Sequence, residues 1–330
     1  NSSAGTDLTI NAATTTGAVE GINADNFGSG ALSITAGTTT GETNEGIDAN
    51  NSSAGTDLTI NAATTTGNEN GINAVNNGTG ALSITTTGTT TGETGEGDGI
   101  YAKNSGTSLT VNAADVVGYY NGIYADNDGE GALNITSTGI IITAIEDGIS
   151  ANNSASGTDL TIVAVHTYGG DSPYGGDGVG SGIDAKNYGS GALSITTTGI
   201  TTGTESDGIE AYNSSAGTDL TINAATTTGN ENGINAVNNG TGALSITTTG
   251  TTTSDTGEGI DAKNDGTDLT INAATTTGAR DGIDAQNDGT GALSITTTGT
   301  TTGETDDGIA VFNSSAGTDL TINAATTTGA

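Results

Sequence analysis

The chain has no cysteine, methionine or tryptophan among its 330 residues, one proline, and only four Lys+Arg. Each shortage excludes something. Without cysteine there can be no disulfide and no thiolate metal site. Four basic residues against 38 Asp+Glu leave a formal charge of −34. That charge lacks the basic footprint needed to bind nucleic-acid phosphates or anionic lipid. No run approaches the ~18 apolar residues of a spanning helix, so no transmembrane segment is expected. Aromatic residues make up 3% of the chain, too little bulk for a broad globular core. The buried residues must be Ile, Leu, Val and Ala, which suits a narrow core of uniform width.

What is abundant is glycine, 56 residues, together with Thr, Ser and Asn. Such a composition resembles disorder, but the apolar residues recur in register. Gly-Ile-x-Ala-x-Asn recurs in twelve copies, with Ile at 22, 47, 72, 100, 123, 149, 183, 209, 234, 260, 283 and 309. The mean spacing is about 26 residues. Leu-x-Ile or Leu-x-Val follows in each unit, in thirteen copies from Leu8 to Leu320. A Thr-rich segment ending in Gly comes third, as in Thr14-Thr15-Thr16-Gly17.

Ile22 and Ala24 alternate with Asn23 and Asp25, and Leu32 and Ile34 with Ser33 and Thr35. A period of two means strands with one buried face. Thr runs and frequent Gly oppose helix. The fold class is therefore all-β: a right-handed parallel β-helix (β-solenoid), with three strands per coil, 25–26 residues per coil and 12–13 coils. At ~4.8 Å per coil the rod is about 60 Å long. Residues 51–88 and 213–250 are identical, and residues 1–18 recur as 313–330. Neither end has a cap signature. The expectation is one continuous solenoid domain over 1–330, an uncapped window on a longer array or a unit that stacks on copies of itself.

The Asn that closes each motif shares the inward parity of Ile and Ala. Asn26, Asn51, Asn76, Asn104, Asn127, Asn153, Asn187, Asn213, Asn238, Asn264, Asn287 and Asn313 are expected to form an internal hydrogen-bonded ladder, since a buried amide without partners costs about 1–3 kcal/mol. Acidic residues recur just before the Gly-Ile motif, Glu20, Glu45, Glu69, Glu231 and Glu258 among them. A second set, Asp7, Asp57, Asp159, Asp219, Asp268 and Asp319, lies in alternate coils. Hard oxygen ligands in rows are candidates for Ca²⁺; the other reading is a solvated acidic ridge.

The outward positions of the Ile motif vary most. Tyr101, Tyr124, Tyr212 and Phe312 stand on or beside them, and with Tyr174 they are the candidate contact residues. Tyr174 falls in an insertion, 166–182, that lengthens one coil and is expected to be a loop of the kind that carries binding in solenoids. Outward Thr rows also offer the flat array of ice-binding solenoids. Polysaccharide cleavage on a β-helix needs a unique carboxylate cluster. Here the carboxylates are repeated and the single His166 has no nucleophilic motif beside it, so the chain reads as a non-enzyme.

At Gly-Ile-x-Ala-x-Asn-x-Gly-[Ser/Thr]-Gly-x-Leu-[Ser/Thr]-Ile-Thr-Thr-Thr-Gly, clearest over 233–250, the sequence resembles passenger domains of bacterial autotransporters and related β-helical adhesins. The resemblance implies a long β-helix displayed on a bacterial cell surface, with adhesion or aggregation as its work and glycans or other cells as partners. The near-perfect repetition leans towards an extracellular fibre, stalk or sheath built from copies placed end to end or side by side.

Overall fold

The computed structural model describes residues 1–95, 97–170 and 180–330. Among them there is no helix; the regular structure is strand, in two sheets of 21 and 12 strands, and every pairing is parallel. The 12-stranded sheet collects the Gly-Ile motifs, from Ile22–Asn26 to Ile309–Asn313. We call it the Ile face. The larger sheet supplies the other two sides of the coil. Its Leu face is made of segments such as Leu220–Ala224, and its Thr face of segments such as Thr226–Gly229. In Leu8–Gly17, Leu32–Gly41, Leu58–Gly67, Leu293–Gly303 and Leu320–Thr328 the two faces run on as one strand. In the coils between Leu82 and Gly278 the strand breaks between them. The result is a β-solenoid of about 12 turns and about 26 residues per coil.

Register is kept residue for residue along the Ile face and along the Leu segments. Ile209 lies beside Ile234, Ala211 beside Ala236 and Asn213 beside Asn238. Leu220 lies beside Leu244 and Ile222 beside Ile246. The side-chain period of two then sends the same set inward in every coil, so Ile234, Leu244 and Ile246 are fully buried, at 0% exposure. Each such side chain contributes about 1.5–3 kcal/mol by leaving water. Val311 replaces the motif's Ala in the last copy.

The Thr face turns a hydroxyl residue inward. Thr65, Thr201, Thr227, Thr252, Thr276 and Thr301 are at 0% exposure, and their Oγ1 atoms have no hydrogen-bond partner. Val116 and Ile141 occupy the same rank, Val116 beside both Thr90 and Ile141. The wall therefore reads threonine as a branched hydrocarbon. Its Cγ2 methyl packs against the glycine that opens the preceding Ile strand, as Thr227 does against Gly208.

The expected loop at 166–182 begins later than its sequence boundaries. His166–Gly169 is a strand of the Thr face, paired with Ile140–Thr143 and Ile200–Gly203. Thr167 fills the inward rank and Tyr168 points outward, as Thr227 and Thr228 do. Residues 171–179, with Tyr174, lie outside the described residues.

Candidate functional site

The closing asparagines of the Ile face form one continuous column. Asn26 Nδ2 donates to Asn51 Oδ1 at 2.9 Å, and Asn51 to Asn76 at 2.9 Å. The same bond links Asn76, Asn104, Asn127, Asn153, Asn187, Asn213, Asn238, Asn264, Asn287 and Asn313 in turn. Asn1 adds a rung at the start, donating to Asn26 at 2.9 Å. The second amide proton goes to the following turn, as from Asn187 to Gly191 O at 3.2 Å. In many coils the oxygen also accepts a turn N–H, as from Gly189 at 3.2 Å. The amide thus holds its neighbours and its own corner together, and its full complement of bonds permits burial.

The acidic rows stand at corners, where they receive backbone N–H groups of the next coil. Asp57 Oδ1 accepts from Ala81 N–H at 2.8 Å, and Asp219 Oδ1 from Ala243 N–H at 2.7 Å. Asp7, Asp159 and Asp268 do the same for Ala31, Ala192 and Ala292. Asp319 holds the matching position in the last coil. These aspartates come every second coil, about 10 Å apart along the rod, except between Asp57 and Asp159, where Ser108 takes the intermediate place and the gap is four coils. Among the described residues no group of three or more His, Cys, Asp or Glu is placed to hold a metal ion.

The glutamates do not form one row. Glu20, Glu45 and Glu258 immediately precede the motif glycine, whereas Glu69 and Glu231 stand one residue earlier, before Asn70 and Asn232. The rank before glycine is a second ladder of mixed acids and amides. Asn70 Oδ1 accepts Asp98 N–H at 2.8 Å, and Asp98 Oδ1 accepts the N–H and Nδ2 of Asn121 at 2.8 and 3.0 Å. Asp147 Oδ1 accepts Ser181 N–H at 2.9 Å. Glu20 Oε1 accepts from Asn44 Nδ2 at 3.3 Å, and Glu258 pairs with Arg280 at 2.9 Å. This ladder leaves a sequence signal, since Asn70, Asn121 and Asn232 share the position of the acids.

Burial raises several of these carboxyls. Desolvation brings Asp98 to about 6. Asp147 is brought to about 7 by desolvation and then by the like charge of Asp184, and Asp261 to about 6 by desolvation and then by Asp284. A carboxyl raised above its unfolded value of about 3.9 stabilises the fold in its protonated form. That contribution is complete below the unfolded value and is lost as pH rises through the folded one. The melting temperature is therefore expected to be higher near pH 5 than near pH 8, with a smaller difference in Asp147→Asn. A circular-dichroism melt that is flat between those values, or rises with pH, would contradict this.

On the outer side of the Ile face Tyr101 and Tyr124 stack, with ring centroids 5.1 Å apart and planes at 7°. They border a groove of about 470 Å³ that also takes in Asn70, Asn73, Val75, Asp98 and Asn121. Tyr212 is three coils further on, about 14 Å away, tilted against Tyr188 at 5.6 Å. Phe312 is at the far end and 53% exposed. Of the described candidate contact residues the structure brings only Tyr101 and Tyr124 together. All four basic residues have acidic neighbours: Lys103 at 2.6 Å from Asp126, Lys186 at 2.6 Å from Asp184, Lys263 at 4.0 Å from Asp265, and Arg280 at 2.9 Å from Glu258. His166 Nδ1 accepts the N–H of Ile200 at 3.0 Å.

No protein-family model, no curated protein and no solved structure matches the chain. Among the described residues no helix is long and apolar enough to cross a membrane.

Proposed function

We propose that the chain is a structural β-solenoid of an extracellular surface fibre, stalk or sheath, with copies associating end to end or side by side. The observation that carries this reading is the unbroken asparagine column from Asn1 to Asn313. It passes through the coil with the insertion at unchanged geometry, Asn153 to Asn187 at 2.9 Å. Such a molecule repeats one support in every coil, which favours length over a single site. The resemblance of residues 233–250 to autotransporter passengers supports display on a bacterial surface. Antibody labelling of intact cells and electron microscopy of the isolated chain test both parts. Surface labelling and rods about 60 Å long are expected; compact particles, or labelling only after lysis, would overturn the reading.

The Tyr101–Tyr124 groove favours a second reading, an adhesin that holds glycans. Stacked rings offer an apolar platform to a sugar face, while Asn73, Asn121 and Asp98 offer hydrogen-bond groups beside it. Tyr101→Ala is then expected to lower retention on a glycan array by at least about tenfold, the weight of a hot-spot aromatic. Retention unchanged in both Tyr101→Ala and Tyr124→Ala would remove the groove as the site.

A further inference from the structure

Among the described residues, no strand of the 21-stranded sheet contains Asp, Glu, Lys or Arg. The described acidic residues stand in the turns and on the Ile face, where Asp48, Asp184, Glu210 and Asp261 point outward. Two of the rod's three sides are thus without formal charge on a chain of net charge −34.

The Thr face carries a further feature. Over most of the rod its outward ranks are threonine, as in Thr226 with Thr228 and Thr275 with Thr277. In the middle they turn apolar. Val117 lies beside Ile142 and Ile142 beside Tyr168, while Ile140 lies beside His166 in the neighbouring rank. Ile200 continues that rank in the next coil. Ile140 is 43% exposed and Ile200 40%. The patch covers four coils, about 15 Å of the axis. One carboxylate borders the patch among the described residues: Asp115 sits at the bend between the two faces and accepts Ile140 N–H at 2.9 Å.

We propose that two copies of this chain pair side by side through their Thr faces, apolar patch on apolar patch; this rests on the structural reading above. Charge selects the occupant. Rods of like sign repel at every surface that bears carboxylates and approach at lowest cost where there are none. The patch can meet itself across a twofold axis, as an isologous interface requires. Both partners have the same ~4.8 Å rise, so threonine ranks on either side of the patch stay in step along the contact. A flat hydroxyl array for ice would be broken by the four apolar coils. A saccharide would find its aromatic pair on the Ile face.

The test uses the 330-residue chain in sedimentation velocity and small-angle X-ray scattering, at low salt and at about 0.5 M NaCl, where screening is short-ranged. The expected species has twice the mass, an enlarged cross-section and unchanged length, and it becomes more abundant as salt screens the repulsion. Ile142→Asp and Ile200→Asp are each expected to raise the dissociation constant by at least about tenfold by placing an unpaired charge in the contact. Both side chains point outward, so unchanged circular dichroism and melting should accompany that loss. Glu210→Gln on the Ile face should pair like the original.

Three results would overturn the proposal: a doubled length in place of a doubled cross-section, full pairing in both Asp variants, or single rods at every salt concentration. A neutral oligosaccharide bound by single rods and lost in Ile142→Asp would give the face to a sugar and also overturn it. All of these leave the rod intact, whereas compact particles at every salt concentration would sink the fibre reading itself.

Discussion

Asn187→Ala is expected to destabilise the rod by about 3–5 kcal/mol, among the largest effects of any single side chain removed from it. Asn187 accepts from Asn153 Nδ2 at 2.9 Å and Gly189 N–H at 3.2 Å, and donates to Asn213 Oδ1 at 3.1 Å and Gly191 O at 3.2 Å. Its loss leaves Gly189 N–H and Asn213 Oδ1 without these bonds, each worth about 1–3 kcal/mol when buried, while Gly191 O keeps the N–H of Thr218. Asn153 keeps its bond to Thr158 O and water can enter the vacated space, so the individual costs do not simply add. Because coils of a solenoid contact only their neighbours, the first consequence should be local. Amide exchange should quicken around Ile183–Asn187 and Ile209–Asn213 before the ends respond, and the urea midpoint should fall.

Thr227→Val is the contrasting substitution. It removes a buried hydroxyl that has no partner from a rank that already holds Val116 and Ile141. It should change stability by less than about 0.5 kcal/mol or raise it. Equal midpoints for Asn187→Ala and Thr227→Val would show that the column does not support the fold.

The different legibility of these features has a physical basis. Strand identity, inward parity and coil length follow from a period of two recurring about every 26 residues, because a slip of one residue would turn Ile234 and Ala236 out to solvent. The boundary at His166 is harder to see. His166-Thr167-Tyr168-Gly169 fits the same inward–outward pattern as Thr226-Thr227-Thr228-Gly229, but Pro173 and the glycines after it draw the eye to a longer loop. The role of the aspartates is harder still. Asp57 and Asp219 in alternate coils suit a cation row as well as a row of caps. The corner geometry, which places each one under the N–H of Ala81 or Ala243, is not written in the repeat. The charge-free sheet, by contrast, is written in the letters of Leu220–Ala224 and Thr226–Gly229 and their counterparts. Its meaning depends on knowing that those segments share one surface.

Gly208→Ala is expected to cost about 3 kcal/mol or more, although the same change in an ordinary strand stabilises by a few tenths to about 1 kcal/mol. The reversal is steric, because Gly208 has no positive φ that would call for glycine. A Cβ there would lie 2.5 Å from Gly233 O, 2.5 Å from Thr227 Cγ2 and 2.8 Å from Thr228 O. Gly182, Gly233 and Gly259 likewise meet a glycine carbonyl, a threonine Cγ2 and threonine backbone of the next coil, so the glycine of the Ile motif marks a place where successive coils approach too closely for a Cβ. The methyl of Thr227 can be removed and the carbonyl of Gly233 cannot. Gly208→Ala combined with Thr227→Ser should therefore recover part of the loss, and the two changes should be non-additive as contacting sites are. Denaturation midpoints of the two single variants and the double variant measure this. A Gly208→Ala chain as stable as the original would mean that the corner can open without cost, and would remove close coil contact as the reason for glycine before every isoleucine.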